Sequence, residues 1–289
     1  MSEAAPSKNV ATLSFASPRR VRFVDKISGN DAVLMSFKDP VPCFAILGDA
    51  PVAAKRAAAT EPHGEELEVD LLILPTLTQG SPLATDRRDA VWMERGDDRD
   101  APPPVFIKAR GAELTWRPGR ALLQCDSEQA ETLLAGVVEF AHYEYELRRI
   151  EDEIANTWVQ LEQDKALAFE VTTGDLERSA VVGERMNRVL QRRIRFARIE
   201  PHLYEAAASL SAGGRKLGDE LREKARIEGR LETVDAQLEV FEGVYEMSGQ
   251  RMGEYRAARQ EHMLEWIIIV LLAAEMILLL VQTVWKPGV

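Results

Sequence analysis

Four side chains toward the C-terminal end, Glu265, Trp266, Glu275 and Gln282, have the types and spacing for directed contacts. Glu275 lies near the middle of an apolar run that starts at Trp266, and Gln282 follows it by seven residues, on nearly the same helical face. An acidic residue in hydrocarbon costs on the order of 3 kcal/mol, so it needs protonation or a polar partner. The chemistry open to the pair is hydrogen bonding to a second helix inside a bilayer, an oligomer contact. The plain alternative is a lone neutral Glu without consequence. Proton transport ranks last, because one helix cannot make a pathway.

A second group is basic. Arg185, Arg188, Arg192, Arg193, Arg195 and Arg198 stand in a stretch with no acid between Arg185 and Ile199. Arg185, Arg188, Arg192 and Arg195 recur at three-four spacing and share roughly 80° of a helical wheel, with Met186, Leu190, Ile194 and Ala197 opposite. Such a face can contact anionic headgroups, ribosomal RNA or an acidic partner. The ordinary reading is a solvated face, or one paired with acids of the same chain.

His142, with Glu139 and Glu146 one turn either side, has the spacing of a helical metal site. It lacks a second histidine nearby and any HExxH pattern, so a satisfied surface histidine is expected, with no metal and no cofactor. Phosphate-binding loops, dinucleotide fingerprints and nucleophile elbows do not occur. No catalytic residue is nominated, and a non-enzymatic protein is expected.

The run Trp266–Trp285 is about 20 residues long, enough for a helix to span a hydrocarbon core roughly 30 Å thick. Tryptophan closes it at both ends, where an amphipathic ring prefers the headgroup layer. A run apolar on all faces is unusual outside a membrane, and the competing reading is a buried core helix. With four residues after it, the span predicts a tail-anchored, single-pass protein. Arg251, Arg256 and Arg259 precede the span and Lys286 follows it. That bias places the N-terminal part in the cytoplasm, or in the matrix at a mitochondrial inner membrane if the chain is organellar. No apolar segment near Met1 reads as a secretory signal.

The 289 residues carry 47 Asp+Glu against 36 Lys+Arg, a net charge of −11. That balance argues against broad nucleic-acid binding, and no DNA partner is expected. Cys43 and Cys125 make no disulfide framework and read as small buried residues in a reducing compartment.

Two textures divide the chain near residue 126. Residues 1–18 read as a disordered N-terminus. Residues 19–125 read as a small β-rich domain interrupted by a long loop at 79–104. Strands are predicted at Arg20–Val24, Ala32–Phe37, Cys43–Leu47, Leu67–Leu74, Val105–Lys108, Glu113–Trp116 and Ala121–Gln124, short Val-, Ile-, Leu- or Phe-rich runs with turn residues nearby.

A helical region follows over 126–212. Its first helix starts at the Asp126-Ser127 cap and ends near Thr172-Thr173-Gly174. Its second runs from about Asp175 to Glu200, ended or kinked by Pro201, and a short piece over Leu203–Leu210 leads to a break at Gly213-Gly214. A third helix starts near Leu217 and enters the membrane uninterrupted. Over 217–265 it reads as a coiled-coil-like stalk, since Ile227, Leu231, Val234, Leu238, Phe241, Tyr245, Ser248, Met252 and Tyr255 alternate at four and three. That seam either folds back on the helix from Ser127 to Glu170 or pairs with another copy. Gly229, Gly243, Gly249 and Gly253 soften it or mark close packing.

The stretch Met263-Leu-Glu-Trp-Ile-Ile-Ile-Val-Leu-Leu-Ala-Ala-Glu275 closely resembles the C-terminal signature of the required-for-meiotic-nuclear-division (sporulation) family, a domain of unknown function with mitochondrial and bacterial members. In that family a long helix enters a final span through a similar Leu-Glu-Trp run with an acid further in, and Leu264, Glu265, Trp266 and Glu275 match it. The likeness covers about the last 40 residues, and the layout over 120–260 is similar. Cys43-Phe-Ala-Ile-Leu-Gly48 corresponds to its hydrophobic strand ending in Gly. Before residue 120 the chain departs from the family. The resemblance implies a membrane-anchored scaffold, supporting organellar translation in mitochondrial members.

The chain is therefore expected to be α+β: a small mixed N-terminal domain, long helices, the stalk and one C-terminal transmembrane helix. Its expected partners are the lipid bilayer, a second copy of itself, and a protein or the ribosome. The competing function is a membrane-located enzyme with its site in the Arg20–Gln124 domain. A membrane-fusion tether comes third, since the seam is short for that task.

Overall fold

The computed structural model describes residues 18–28, 31–49, 67–75, 103–109 and 111–284. The fold is mixed α+β, a seven-stranded sheet followed by long helices. Residues 1–17, most of the loop at 79–104, and Trp285 and Lys286 beyond the last helix lie outside the described residues.

The seven expected strands are present, each within two residues of its predicted ends. They are β1 Pro18–Val24, β2 Ala32–Phe37, β3 Cys43–Asp49, β4 Glu68–Pro75, β5 Val105–Ala109, β6 Ala112–Arg117 and β7 Arg120–Cys125. They form one sheet in the order β2-β3-β1-β4-β7-β6-β5. Every pairing is antiparallel except β4–β7, which is parallel and joins the two halves of the sheet.

The residue pattern explains the order. β1 alternates buried Val21 and Phe23 with Arg20 and Arg22, and Arg20 reaches across to Glu68 at 2.6 Å and Asp70 at 2.7 Å on β4. β4 and β7 sit in the middle, and Leu71–Leu74 and Ala121–Leu123 are buried in unbroken succession, as in strands covered on both faces. The tight β6–β7 turn needs Gly119 at φ +74°, a conformation a β-carbon disfavours.

Four α-helices follow: α1 Ser127–Asp164, α2 Ser179–Tyr204, α3 Ala212–Lys224 and α4 Ile227–Val284. Two 3-10 helices, Lys165–Ala168 and Thr173–Arg178, connect α1 to α2. Several expected helix ends are corrected. α1 stops at Asp164, whose side chain is fully buried and bonded to residues further along the chain. Asp175 belongs to the second 3-10 helix instead of starting α2: as its third residue it accepts from the Thr172 N–H at 2.9 Å, closing the cap. Pro201 lies inside the last turn of α2, where one missing donor is tolerated, and the helix runs on to Tyr204.

Gly213-Gly214 is no break. Both glycines belong to the first turn of α3, capped by Ser211, whose hydroxyl accepts from the Gly214 N–H at 3.1 Å. Their smallness serves a crossing. A β-carbon on Gly136 of α1 would sit 2.2 Å from the Gly214 carbonyl oxygen, and one on Gly214 would sit 2.5 Å from the Thr132 oxygen. The last helix is also interrupted: α3 ends at Lys224, and Arg226 takes φ +53° before α4 begins.

Along α4, eight of the nine seam residues, from Ile227 to Met252, are buried within the chain, and Tyr255 is half-buried. Phe241 meets Trp158 of α1 edge-on with centroids 4.8 Å apart, and Ser248 satisfies its hydroxyl on the Val244 carbonyl at 2.7 Å. The seam therefore packs inside this chain. Gly229, Gly243, Gly249 and Gly253 face open space.

The helices run through two compact units. One joins the sheet and α1 up to Glu153 to Ile194–Asp235, and the other joins Ile154–Arg193 to α4 from Ala236 onward.

Candidate functional site

Three places carry the side chains singled out in the sequence. The first is the exposed end of α4. From Arg256 to Val281 every residue is exposed, and no part of the apolar stretch is buried inside the chain. Among the described residues this is one helix long and apolar enough to cross a membrane. Trp266 and Glu265 are both exposed, and Glu265 lies 3.2 Å from Nδ1 of His262 one turn earlier. Glu275 stands exposed among Leu271, Leu272, Met276, Leu278 and Leu279. The side chain of Gln282 and all of Trp285 lie outside the described residues. An uncovered helix of this composition is unfavourable in water, since each exposed Leu or Ile forgoes about 1.5–3 kcal/mol of burial. A hydrocarbon solvent removes that cost.

The second place is the basic helix α2. Its buried residues are Val182, Val189, Phe196, Ile199 and Leu203. The side opposite the arginines is not the core side: Leu190 is 41% exposed and Ile194 57%. The arginines instead meet acids of the chain. Arg185 donates to the buried Asp164, which also accepts from Arg178 at 3.0 Å and from the Tyr245 hydroxyl at 3.3 Å. Arg195 donates to Glu153 at 2.6 Å, Arg193 stands 3.7 Å from Glu242, and Arg188 pairs with the exposed Glu184. Arg192 also has a partner. The reading of this face as one paired within the chain is the one the geometry follows.

The third place is His142, and the expectation of a surface histidine is corrected. Its ring is 4% exposed, wedged against Phe37 at 4.1 Å and Phe23 at 5.4 Å between centroids. Its Nε2 is 3.1 Å from the Asp39 carbonyl oxygen, so this nitrogen carries the proton and donates. That leaves Nδ1 bare, 3.9 Å from the Cys43 sulfur. A thiol, an imidazole and an orienting acceptor in line resemble a nucleophile and its base. The electrostatics oppose activation: burial lowers the imidazole to about 4 and raises the thiol to about 11. Both stay neutral near pH 7, and the sulfur is not the thiolate that attacks.

Glu139, expected beside His142, turns elsewhere. It accepts from Arg222 at 3.1 Å and from the Ala207 N–H at 2.7 Å, while Arg222 also caps the end of α2 by donating twice to the His202 carbonyl. Burial raises Glu146. Among the described residues no group of three or more metal-ligating side chains converges.

The sequence reading missed a pattern on α1. Its acids Glu139, Glu144, Glu151, Glu153 and Asp164 each hold an arginine from a later helix: Arg222, Arg230, Arg195 and Arg185. Acids recurring along a helix between its apolar residues, with arginines in the helices that follow, were the available signal. No family model, no curated protein and no solved structure matches this chain.

Proposed function

We propose that this chain is a tail-anchored, single-pass membrane protein that holds its sheet and helices at the surface and organises other components there. The observation that carries the reading is the apolar end of α4, exposed on every side. The arginines before the span, Arg251, Arg256 and Arg259, favour a cytoplasmic or matrix-facing body. α4 serves as the stalk. Its seam packs against the chain's own helices as far as Met252, and its last turns before Trp266 stand free. Copies associate in the bilayer through Glu275 and Gln282, where a polar side chain in lipid gains most from a like partner. The client is a protein or the translation apparatus, as the resemblance at Met263–Glu275 implies.

Extraction of membranes with alkaline carbonate tests the anchor: the chain stays in the pellet, and release into the supernatant would sink the reading. Glu275→Leu is expected to lower the oligomeric state in detergent, and an unchanged state would remove that contact. Crosslinking followed by purification should recover a partner besides the chain itself.

The competing reading is a membrane-located enzyme, favoured by the approach of Cys43 to His142. It requires a thiol that reacts at neutral pH. Native-state alkylation of Cys43 at pH 7 as fast as that of a free thiol would support the enzyme, and slow alkylation would count for the organiser.

A further inference from the structure

Between the half-buried Tyr255 and the apolar span, α4 has a bare neck over 256–265, and the charges around it are sorted by side. Arg256 and Arg259 lie one turn apart and share a face with Met263 and Trp266. Glu254, Glu261 and Glu265 share another face, about 170° away at 3.6 residues per turn. The arginine face continues the line of Ser248 and Met252, so it emerges on the membrane side of the packed helices. Packing stops at its upper end: the Thr173 and Tyr255 hydroxyls are 2.8 Å apart, and Arg256 donates to the Ser179 hydroxyl at 3.3 Å.

These two arginines differ from the others of α4. Arg230 is held by Glu144 and Glu151, and Arg251 by Glu254. Arg256 has a neutral hydroxyl for its partner, and the exposed Arg259 has no partner among the described residues. One turn either side of Arg259 stand Tyr255, Arg256, His262 and Met263, with no acid among them. The same positions around Arg256 hold Met252, Gly253, Arg259 and Gln260. In a chain of net charge −11, two exposed guanidinium groups kept away from acids are open to an anion from outside. Resting on the membrane-anchored reading above, we propose that the neck is a one-sided site for anionic phospholipid. Arg259 and Arg256 bind headgroup phosphate on the side below the packed helices, and the three glutamates keep such lipids off the opposite side.

The heights suit a lipid source. Trp266, on the arginine face, marks the edge of the hydrocarbon, and headgroups extend roughly 5–8 Å beyond that edge. Arg259 stands about 10 Å of helix rise above Trp266, so its long side chain reaches down into the headgroup layer. Arg256 is about 15 Å up and already bonded to Ser179. It acts instead through the negative potential of the surface, which extends about 8 Å into physiological salt. Arg259 is therefore the principal contact and Arg256 the lesser one.

The test uses the full chain in bilayers of phosphatidylcholine and phosphatidylglycerol, with a trace of one or the other spin-labelled on its acyl chain. Electron spin resonance then reports how strongly each lipid associates with the protein. The expected result is a preference for phosphatidylglycerol of about fivefold, the share one basic residue near a charged surface supplies. It should fall as salt rises. Arg259→Gln should abolish most of it and Arg256→Gln less, while Arg251→Gln, at a side chain already paired with Glu254, should leave it unchanged. Glu261→Gln with Glu265→Gln should raise it roughly twofold by opening the second side. No preference, or one that survives Arg256→Gln and Arg259→Gln together, would overturn the proposal. Inorganic phosphate that abolishes the preference where chloride at equal ionic strength does not would overturn it in favour of a soluble anion. An unchanged preference in the glutamate variant would overturn the one-sidedness. Release of the chain by carbonate sinks the anchored reading itself, whereas a chain that stays in the pellet without lipid preference sinks this inference alone.

Discussion

α4 is one unbroken helix whose two halves follow different rules. Up to Met252 it presents an apolar line to the chain's own helices and acids to the outside. From Trp266 it presents apolar residues in nearly every direction, and as far as Val281 none is covered. Backbone geometry is common to both halves, so solvent makes the difference. The first half meets water on one side and must be amphipathic. The second half has no wet side to serve, which is the composition of a helix in lipid. Helix formation itself teaches little about this chain; the change of periodicity along a helix teaches where its surroundings change.

The sharpest contrast comes from deleting one large side chain in each half. Phe241→Ala is expected to cost about 3–5 kcal/mol, through lost burial and a cavity beside Trp158. Leu272→Ala should leave denaturant unfolding of the body in detergent within about 0.5 kcal/mol. Equal losses in the two halves would break the comparison. Next comes the ion cluster that holds the first kind of environment together. Asp164→Ala leaves Arg185 and the Tyr245 hydroxyl without their acceptor and should cost roughly 3 kcal/mol. A midpoint shift in urea with an unchanged slope would report it.

Acid should act on the packed body and spare the exposed half. His142 is held near 4 when folded against 6.5 when free, so between those values the unfolded chain binds the extra proton. Stability is therefore complete above about pH 6.5 and falls by roughly 3 kcal/mol as pH drops toward 4, with no further loss from this group below that. Thermal midpoints across this window measure it, and His142→Phe should flatten the profile. The smallest effect is expected where α4 begins. Arg226 sits at φ +53°, so Arg226→Gly should gain up to about 1 kcal/mol; a loss would mean that its side chain contributes more than the strain costs.

Much of this architecture can be read before folding. The seven strands are short branched or aromatic runs with Gly, Pro or Asp nearby, and the α4 seam is a strict repeat, so neighbours along the chain suffice to find them. The parallel β4–β7 pairing is different, because it joins segments some fifty residues apart with nothing local to announce it. α2 misled for a physical reason. Arg185 and Arg192 interleave with the buried Val182, Val189 and Phe196, because Asp164 makes an inward arginine tolerable. His142 misled likewise: an imidazole among acids on a helix looks exposed until Phe23, Phe37 and the Asp39 carbonyl close around it.

Periodicity and length are properties of consecutive residues, and by themselves they determined the strands, the seam and a terminal stretch as long as a bilayer is thick. Which charges are neutralised, which glycines let helices cross and whether a thiol beside an imidazole is reactive were decided by tertiary structure alone. Those outcomes depend on desolvation and on partners brought from distant segments, and neither quantity exists until the chain has folded.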